Sequence, residues 1–179
     1  GDTLHVSGRL FAGRYRYDAT LTYDGALVGF PAEGDFRGTE WRLLSTAVAG
    51  HKLMLGIEAQ DNVRTDQSVN DLADPANSFK IAGSGYRVGV YAQDEWRVGA
   101  TLTATLGLRV DRNDKTGTKA SPRAALIWQA APATTLKALA GRAHRAPNAY
   151  ESEYDDSYSQ VRNPALAGER IDTLELVAD

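Results

Sequence analysis

The chain contains no cysteine, which removes disulfides, thiolate catalysis and Cys-based metal sites and leaves the compartment open. It has no run of about 18 apolar residues, so it has no ordinary transmembrane helix. Positive charge is not in excess: 20 Lys and Arg are scattered among 23 Asp and Glu, for a net charge of -3. Nothing in that balance favours nucleic acid or a polybasic membrane anchor. The opening "GDTLHVSGRL" lacks a Met and the basic and apolar regions of a signal peptide. A mature protein, or an internal piece of a longer one, is therefore expected. Enzyme signatures are missing as well. His5, His51 and His144 stand far apart with no metalloprotease spacing, and there is no serine elbow and no P-loop. "GSGYRVG" (Gly83–Gly89) is glycine-rich, but a strand pattern follows it where a helix would be needed. The chain is not expected to be an enzyme and needs no cofactor or metal.

What the sequence does contain is period-two alternation. From Leu102 to Asp111 the apolar residues Leu102, Ala104, Leu106, Leu108 and Val110 alternate with Thr103, Thr105, Gly107, Arg109 and Asp111. Such a pattern makes a strand with one dry and one wet face. It recurs in "KLMLGIEAQD" (Lys52–Asp61) and in "YRVGVYAQDEWRV" (Tyr86–Val98), where Asp94 breaks it. Eight strands are predicted at about 2–17, 37–48, 52–65, 85–98, 101–112, 119–129, 134–145 and 168–178. Short connections (48–51, 98–100, 130–133) alternate with longer ones (18–36, 66–84, 146–167) and one of intermediate length (113–118). The expected fold is all-β, an antiparallel up-and-down meander of the outer-membrane barrel type. Trp41, Tyr86, Trp96 and Trp128 are expected at strand ends, as interfacial girdles. A mean hydropathy of -0.38 fits a soluble protein and equally a barrel in which only alternate residues meet lipid.

A set of ordered motifs adds a resemblance. "YAQDEW" (Tyr91–Trp96), "LTATLGLRVD" (Leu102–Asp111), "SPRAAL" (Ser121–Leu126), "TLKALAGRAHRAPNAYE" (Thr135–Glu151), "NPAL" (Asn163–Leu166) and "ERIDTLEL" (Glu169–Leu176) resemble mid-barrel segments of TonB-dependent outer-membrane receptors. The resemblance implies that residues 1–179 are part of a transmembrane β-barrel domain, 22-stranded in the family. It further implies a Gram-negative outer-membrane location and uptake of a scarce small-molecule ligand: a ferric siderophore, a cobalamin or an oligosaccharide. The implied partners are the lipid bilayer, a plug domain, the remaining barrel strands and, through the plug, the TonB energy-coupling complex. No plug, TonB box or terminal aromatic strand is recognisable here, and His144 stands where the family commonly has an aromatic residue. Two open sheet edges would be aggregation-prone without neighbours.

Two segments are candidate ligand contacts. In "GRAHRAPN" the cations Arg142, His144 and Arg145 could hold a carboxylate or phosphate. They could equally be structural, with Arg145 paired to a wall or plug carboxylate and Pro147 ending the strand. In "YESEYDDSYSQVRN", Tyr150, Tyr154 and Tyr158 could stack on a ligand. The accompanying Glu151, Glu153, Asp155 and Asp156 lack calcium-loop spacing, so a solvated loop ranks above a metal site. Three alternatives stay open: a complete small eight-stranded barrel with a structural or adhesion role, a soluble ligand-binding β-barrel, and an outer-membrane hydrolase using Asp24, His144 and a serine.

Overall fold

A computed structural model describes residues 3–23, 25–155 and 160–179. Ten strands form: β1 (Leu4–Tyr17), β2 (Thr20–Tyr23), β3 (Ala26–Gly29), β4 (Ala32–Ser45), β5 (His51–Asp71), β6 (Phe79–Arg97), β7 (Leu102–Asn113), β8 (Gly117–Ala131), β9 (Thr134–Arg145) and β10 (Glu169–Ala178). A short helix, α1 (Ala149–Glu153), and a 3-10 turn (Pro75–Asn77) lie in the connections. Eight strands follow one antiparallel path, β1-β4-β5-β6-β7-β8-β9-β10. Among the described residues β1 and β10 have one neighbour each, so the path is open and does not close into an eight-stranded barrel.

The long-loop end differs from expectation in a consistent way. β4 starts at Ala32, β5 runs on to Asp71 and β6 begins at Phe79, so most of the expected loop 66–84 is strand and only 72–78 connects. Here polar runs such as Asp66, Gln67 and Ser68 interrupt the alternation, while backbone pairing continues. Residues 18–31 contain the β2–β3 hairpin, which joins the far end of β5 through Val28 and Gly29. Gly25 takes the left-handed conformation (φ 83°) that this turn needs. Asp24, the hydrolase candidate, lies outside the described residues. Because β4 starts early, Trp41 sits within the strand, across from Gly8, and not at its end.

Register carries one apolar face across the whole sheet. A single row runs Leu4, Ser45, Leu53, Asp94, Leu106, Ala124, Ala140, Leu174. On this face Leu106, Leu10 and Leu174 are 66%, 79% and 78% exposed, and among the described residues Ile81 alone is a buried hydrophobic side chain. A soluble domain of this length buries a core. This one turns its Leu, Val and Ile side chains outward, so the apolar solvent must lie outside the sheet. The apolar files also drift: on β1 they rise from Leu4 toward the loop side as far as Leu10, and on β10 they descend from Leu174 toward the turn side. Strands tilted to a horizontal apolar band produce that drift.

Asp94, the interruption in the alternation, lies on the apolar face next to the turn-side margin. There His51 Nδ1 is 2.7 Å from Asp94 Oδ2, and the imidazole stacks on Trp96 with centroids 5.5 Å apart. The carboxylate thus meets a polar partner where the aromatic girdle lies, although its Oδ1 has none.

Aromatic rings cover glycines on the facing strand. Gly8 lies directly across from Trp41, Gly13 from Phe36, Gly34 from Tyr15, Gly38 from Phe11 and Gly56 from Tyr91. In each case a Cβ on the glycine would overlap the ring. A ring laid over a facing glycine buries itself and shields the backbone of a strand that would otherwise be weak.

Candidate functional site

The opposite face is built from charge. Along it Arg109 donates to Glu58 and to both oxygens of Asp111 (2.9 Å), with its guanidinium 5.6 Å above the Tyr91 ring. Arg9 pairs with Glu40 at 2.7 Å, and Arg87 donates to the Gln60 side chain at 2.8 Å. Gly89 makes room for this network, since a Cβ there would lie 2.5 Å from Arg109 and Asp111. Arg9 and Arg87 thus meet acceptors on the next strand, and Arg109 reaches past β6 to Glu58 on β5.

At the loop end this face opens into two adjoining cavities lined by described residues of the β9–β10 connection. Pro147 stands two residues beyond the end of β9, and Asn148 then caps α1. The Asn148 side chain accepts from Glu151 N and the Glu151 carboxylate accepts from Asn148 N, both at 2.8 Å. This capping box satisfies donors that a single helical turn leaves open. Ser152, 2% exposed, donates its hydroxyl to Asn148 O at 3.1 Å.

Three cations fasten the loop. Arg145 donates to both oxygens of Glu151 (2.9 and 3.0 Å) and both oxygens of Glu169 (3.0 and 2.8 Å), tying the loop start to β10. Arg145 and the Asn148 backbone hold the Glu151 carboxyl below its ordinary range. Burial pushes Glu153 up, but Lys115 (3.2 Å) and Arg162 (2.7 Å) outweigh it and leave the group lowered. Of the carboxylates considered as calcium ligands, Glu151 and Glu153 are therefore engaged by separate cations. Aromatic contacts complete the attachment: Tyr154 meets Phe79 of β6 edge-on at 4.6 Å and Tyr150 at 4.5 Å.

One cavity, about 690 Å³, lies between the upper part of β6, the β7–β8 turn and the loop, with Phe79, Lys80, Gly83, Lys115, Glu153 and Arg162 in its lining. The second, about 550 Å³, is lined by Arg145, Tyr150, Glu151, Tyr154, Leu166 and Glu169. Together they offer aromatic faces and cations to a ligand of small-molecule size.

The sequence candidates divide between faces. Arg145, Tyr150 and Tyr154 come together at the second cavity. Arg142 and His144 alternate with Arg145 and so lie on the apolar face, where Arg142 pairs with Asp172 and His144 Nε2 lies 3.2 Å from Ala120 O. Tyr158 and Asp156 lie outside the described residues. Phe79, Lys115, Arg162 and Glu169 were missed. Of these, only Glu169 carried a signal: it pairs with Arg145 if the hairpin closes at Pro147 and reopens after Gly168.

Comparison with known proteins places this geometry. The family model "TonB dependent receptor-like, beta-barrel" matches residues 2–179. An iron-regulated outer membrane virulence protein of Vibrio cholerae is 25% identical over 108 residues, covering 60% of this chain and 16% of that relative. The siderophore receptor PirA of Pseudomonas aeruginosa matches in structure with a TM-score of 0.57 at 22% identity, covering 96% of this chain and 36% of that one. A mutant of the ferric enterobactin receptor PfeA from Pseudomonas aeruginosa gives 0.62 at 19% identity, covering 96% and 32%. The chain thus spans about a third of the length of these solved receptors.

Proposed function

Since this chain belongs to the TonB-dependent receptor β-barrel family of the outer membrane, we propose that it supplies wall and loops for the uptake of a ferric siderophore. Residues 1–179 act as part of a barrel domain whose edges, β1 and β10, pair with further strands of the same receptor. A plug domain fills the lumen against the Arg109–Glu58–Asp111 wall, and the TonB energy-coupling complex works through that plug. The loop-end cavities capture the ligand from outside, and the chain's own residues carry out no bond chemistry.

The observation that carries the choice of ligand is the meeting of Phe79, Tyr150 and Tyr154 with Lys80, Lys115, Arg145 and Arg162 around the two cavities. A ferric chelate with aromatic or carboxylate arms would use both features, through stacking and cation contact. The two solved receptors compared above are a siderophore receptor and a ferric enterobactin receptor. The deciding experiment deletes the gene in its host and follows uptake of labelled ferric siderophores, cobalamin and oligosaccharides under iron limitation. Loss of ferric siderophore uptake alone is expected. Loss of cobalamin or oligosaccharide uptake in its place would overturn the ligand, and no loss of any would overturn uptake itself.

A further inference from the structure

The outward files of β7, β9 and β10 change character abruptly on the loop side. On β7 the apolar file ends at Val110 and Arg112 follows; on β9 it ends at Ala140 and Arg142 and His144 follow; on β10 Leu174 gives way to Asp172 and Arg170. From Leu102 to Arg112 is ten residues of strand. At about 3.3 Å each and a tilt of about 40°, that is a rise of about 25 Å, the height of a barrel's apolar band. The same row that holds Leu10 on β1 reaches Arg112 on β7, through Thr39, Ala59 and Val88. Rows therefore climb relative to the band from β1 toward β10. That climb brings Arg142, His144 and Arg170, one or two rows nearer the turns, to the height of Arg112.

The charge at this height is unbalanced. Asp172 is shared by Arg142 (2.6 Å) and Arg170 (3.2 Å), and Arg112 makes no ion pair among the described residues. Among the described residues of β7–β10, three guanidiniums thus face one carboxylate at this height, with an imidazole beside them. Elsewhere on the same face, above the band on β1, the cations are matched: Arg14 with Asp35, Arg16 with Glu33 and, on β4, Arg37 with Asp61. The excess is local to β7–β10.

From this we propose that Arg112, Arg142, His144 and Arg170 form a seat for the phosphorylated headgroup of an outer-leaflet lipid, whose acyl chains lie along Leu106, Leu108, Ala140 and Leu174. Guanidiniums bind phosphate in two-point fashion. A cation cluster at the water boundary of an apolar band gains from anionic headgroups at the same depth. The inference rests on the barrel's placement in the membrane and is independent of which ligand the receptor takes up.

The test uses the intact receptor in detergent and reads bound lipid by native mass spectrometry. The probe is a diphosphorylated acylated disaccharide, compared with the same lipid after phosphate removal. The receptor is expected to retain the phosphorylated form, and Arg112→Gln/Arg142→Gln/Arg170→Gln to lower retention by about fivefold per arginine. Arg9→Gln, on the other face, is expected to change nothing. Should the triple Gln receptor fail to assemble, as read by heat-modifiable migration, the triple Lys variant takes its place and is expected to keep a reduced preference. Equal retention of both lipids, retention unaffected by the triple substitution, or displacement of the lipid by equimolar inorganic phosphate would each overturn the proposal. Because mass reports lipid and uptake reports transport, failure of one leaves the other standing.

Discussion

Gly56→Ala isolates the contact between rings and facing glycines. The new Cβ would fall inside the Tyr91 ring, which lies across Gly56 with the Arg109 guanidinium 5.6 Å above it. The ring must swing out. Exposing about 60 Å² of it costs about 1.5 kcal/mol at 25 cal/mol per Å². An off-rotamer χ adds about 0.5–1.5 kcal/mol, and loss of the cation–π contact about 0.5 kcal/mol. Relief of glycine's strand penalty returns about 0.5 kcal/mol, leaving a net loss of roughly 2–3 kcal/mol. Gly83→Ala is the matched control, because a Cβ there meets nothing within 4 Å. It should be neutral or slightly stabilising. The assay is urea titration of the intact receptor refolded into vesicles, read by heat-modifiable migration. Tyr91→Ala should absorb the effect, so that adding Gly56→Ala to it costs nothing more. Equal shifts for Gly56→Ala and Gly83→Ala, or a full penalty persisting on the Tyr91→Ala background, would refute the reasoning.

Three further outcomes follow from the same geometry. Leu106→Arg places a cation in the middle of the apolar file of β7 and should destabilise the membrane-inserted barrel by about 2–4 kcal/mol; the same urea titration reads it. Arg145→Gln removes four hydrogen bonds to Glu151 and Glu169 and should speed protease nicking within 146–168 severalfold, with Arg145→Lys intermediate. The third concerns pH. The folded-state pKa values of Glu151 and Glu153 lie below their ordinary ones, so their contribution is complete above the unfolded value of about 4.3 and is lost as pH falls through the folded values. Loop protection should stay flat from pH 7 to about 5 and drop below about 4; a rise in protection on acidification would contradict the ion pairs.

The fold was legible wherever one face of a strand is apolar. Leu102–Val110 and Leu53–Ala59 give their period directly, and both strands form as that period requires. It was illegible where strands project beyond the band. Between Asp66 and Ser84 polar residues break the alternation, and Gly83 was read as part of a loop although it lies in β6. The site was harder still. Arg142, His144 and Arg145 look like one cluster along the chain, yet the same parity that identifies strands assigns them to different faces. Lys115 and Arg162 carry no local pattern at all. They matter because two connections far apart in sequence lean on Glu153, and only tertiary closure reveals that.

The meander has a consequence for how such a wall is made. Every strand of the main path pairs with the next strand of that path, so its long-range order is assembled from local steps. Neighbour-to-neighbour pairing of this kind lets a sheet grow hairpin by hairpin from one exposed edge, each new strand templated by the last. It also makes circumference adjustable: inserting or deleting a hairpin leaves all other pairings as they were. Register, then, is the conserved quantity, and width is free to vary.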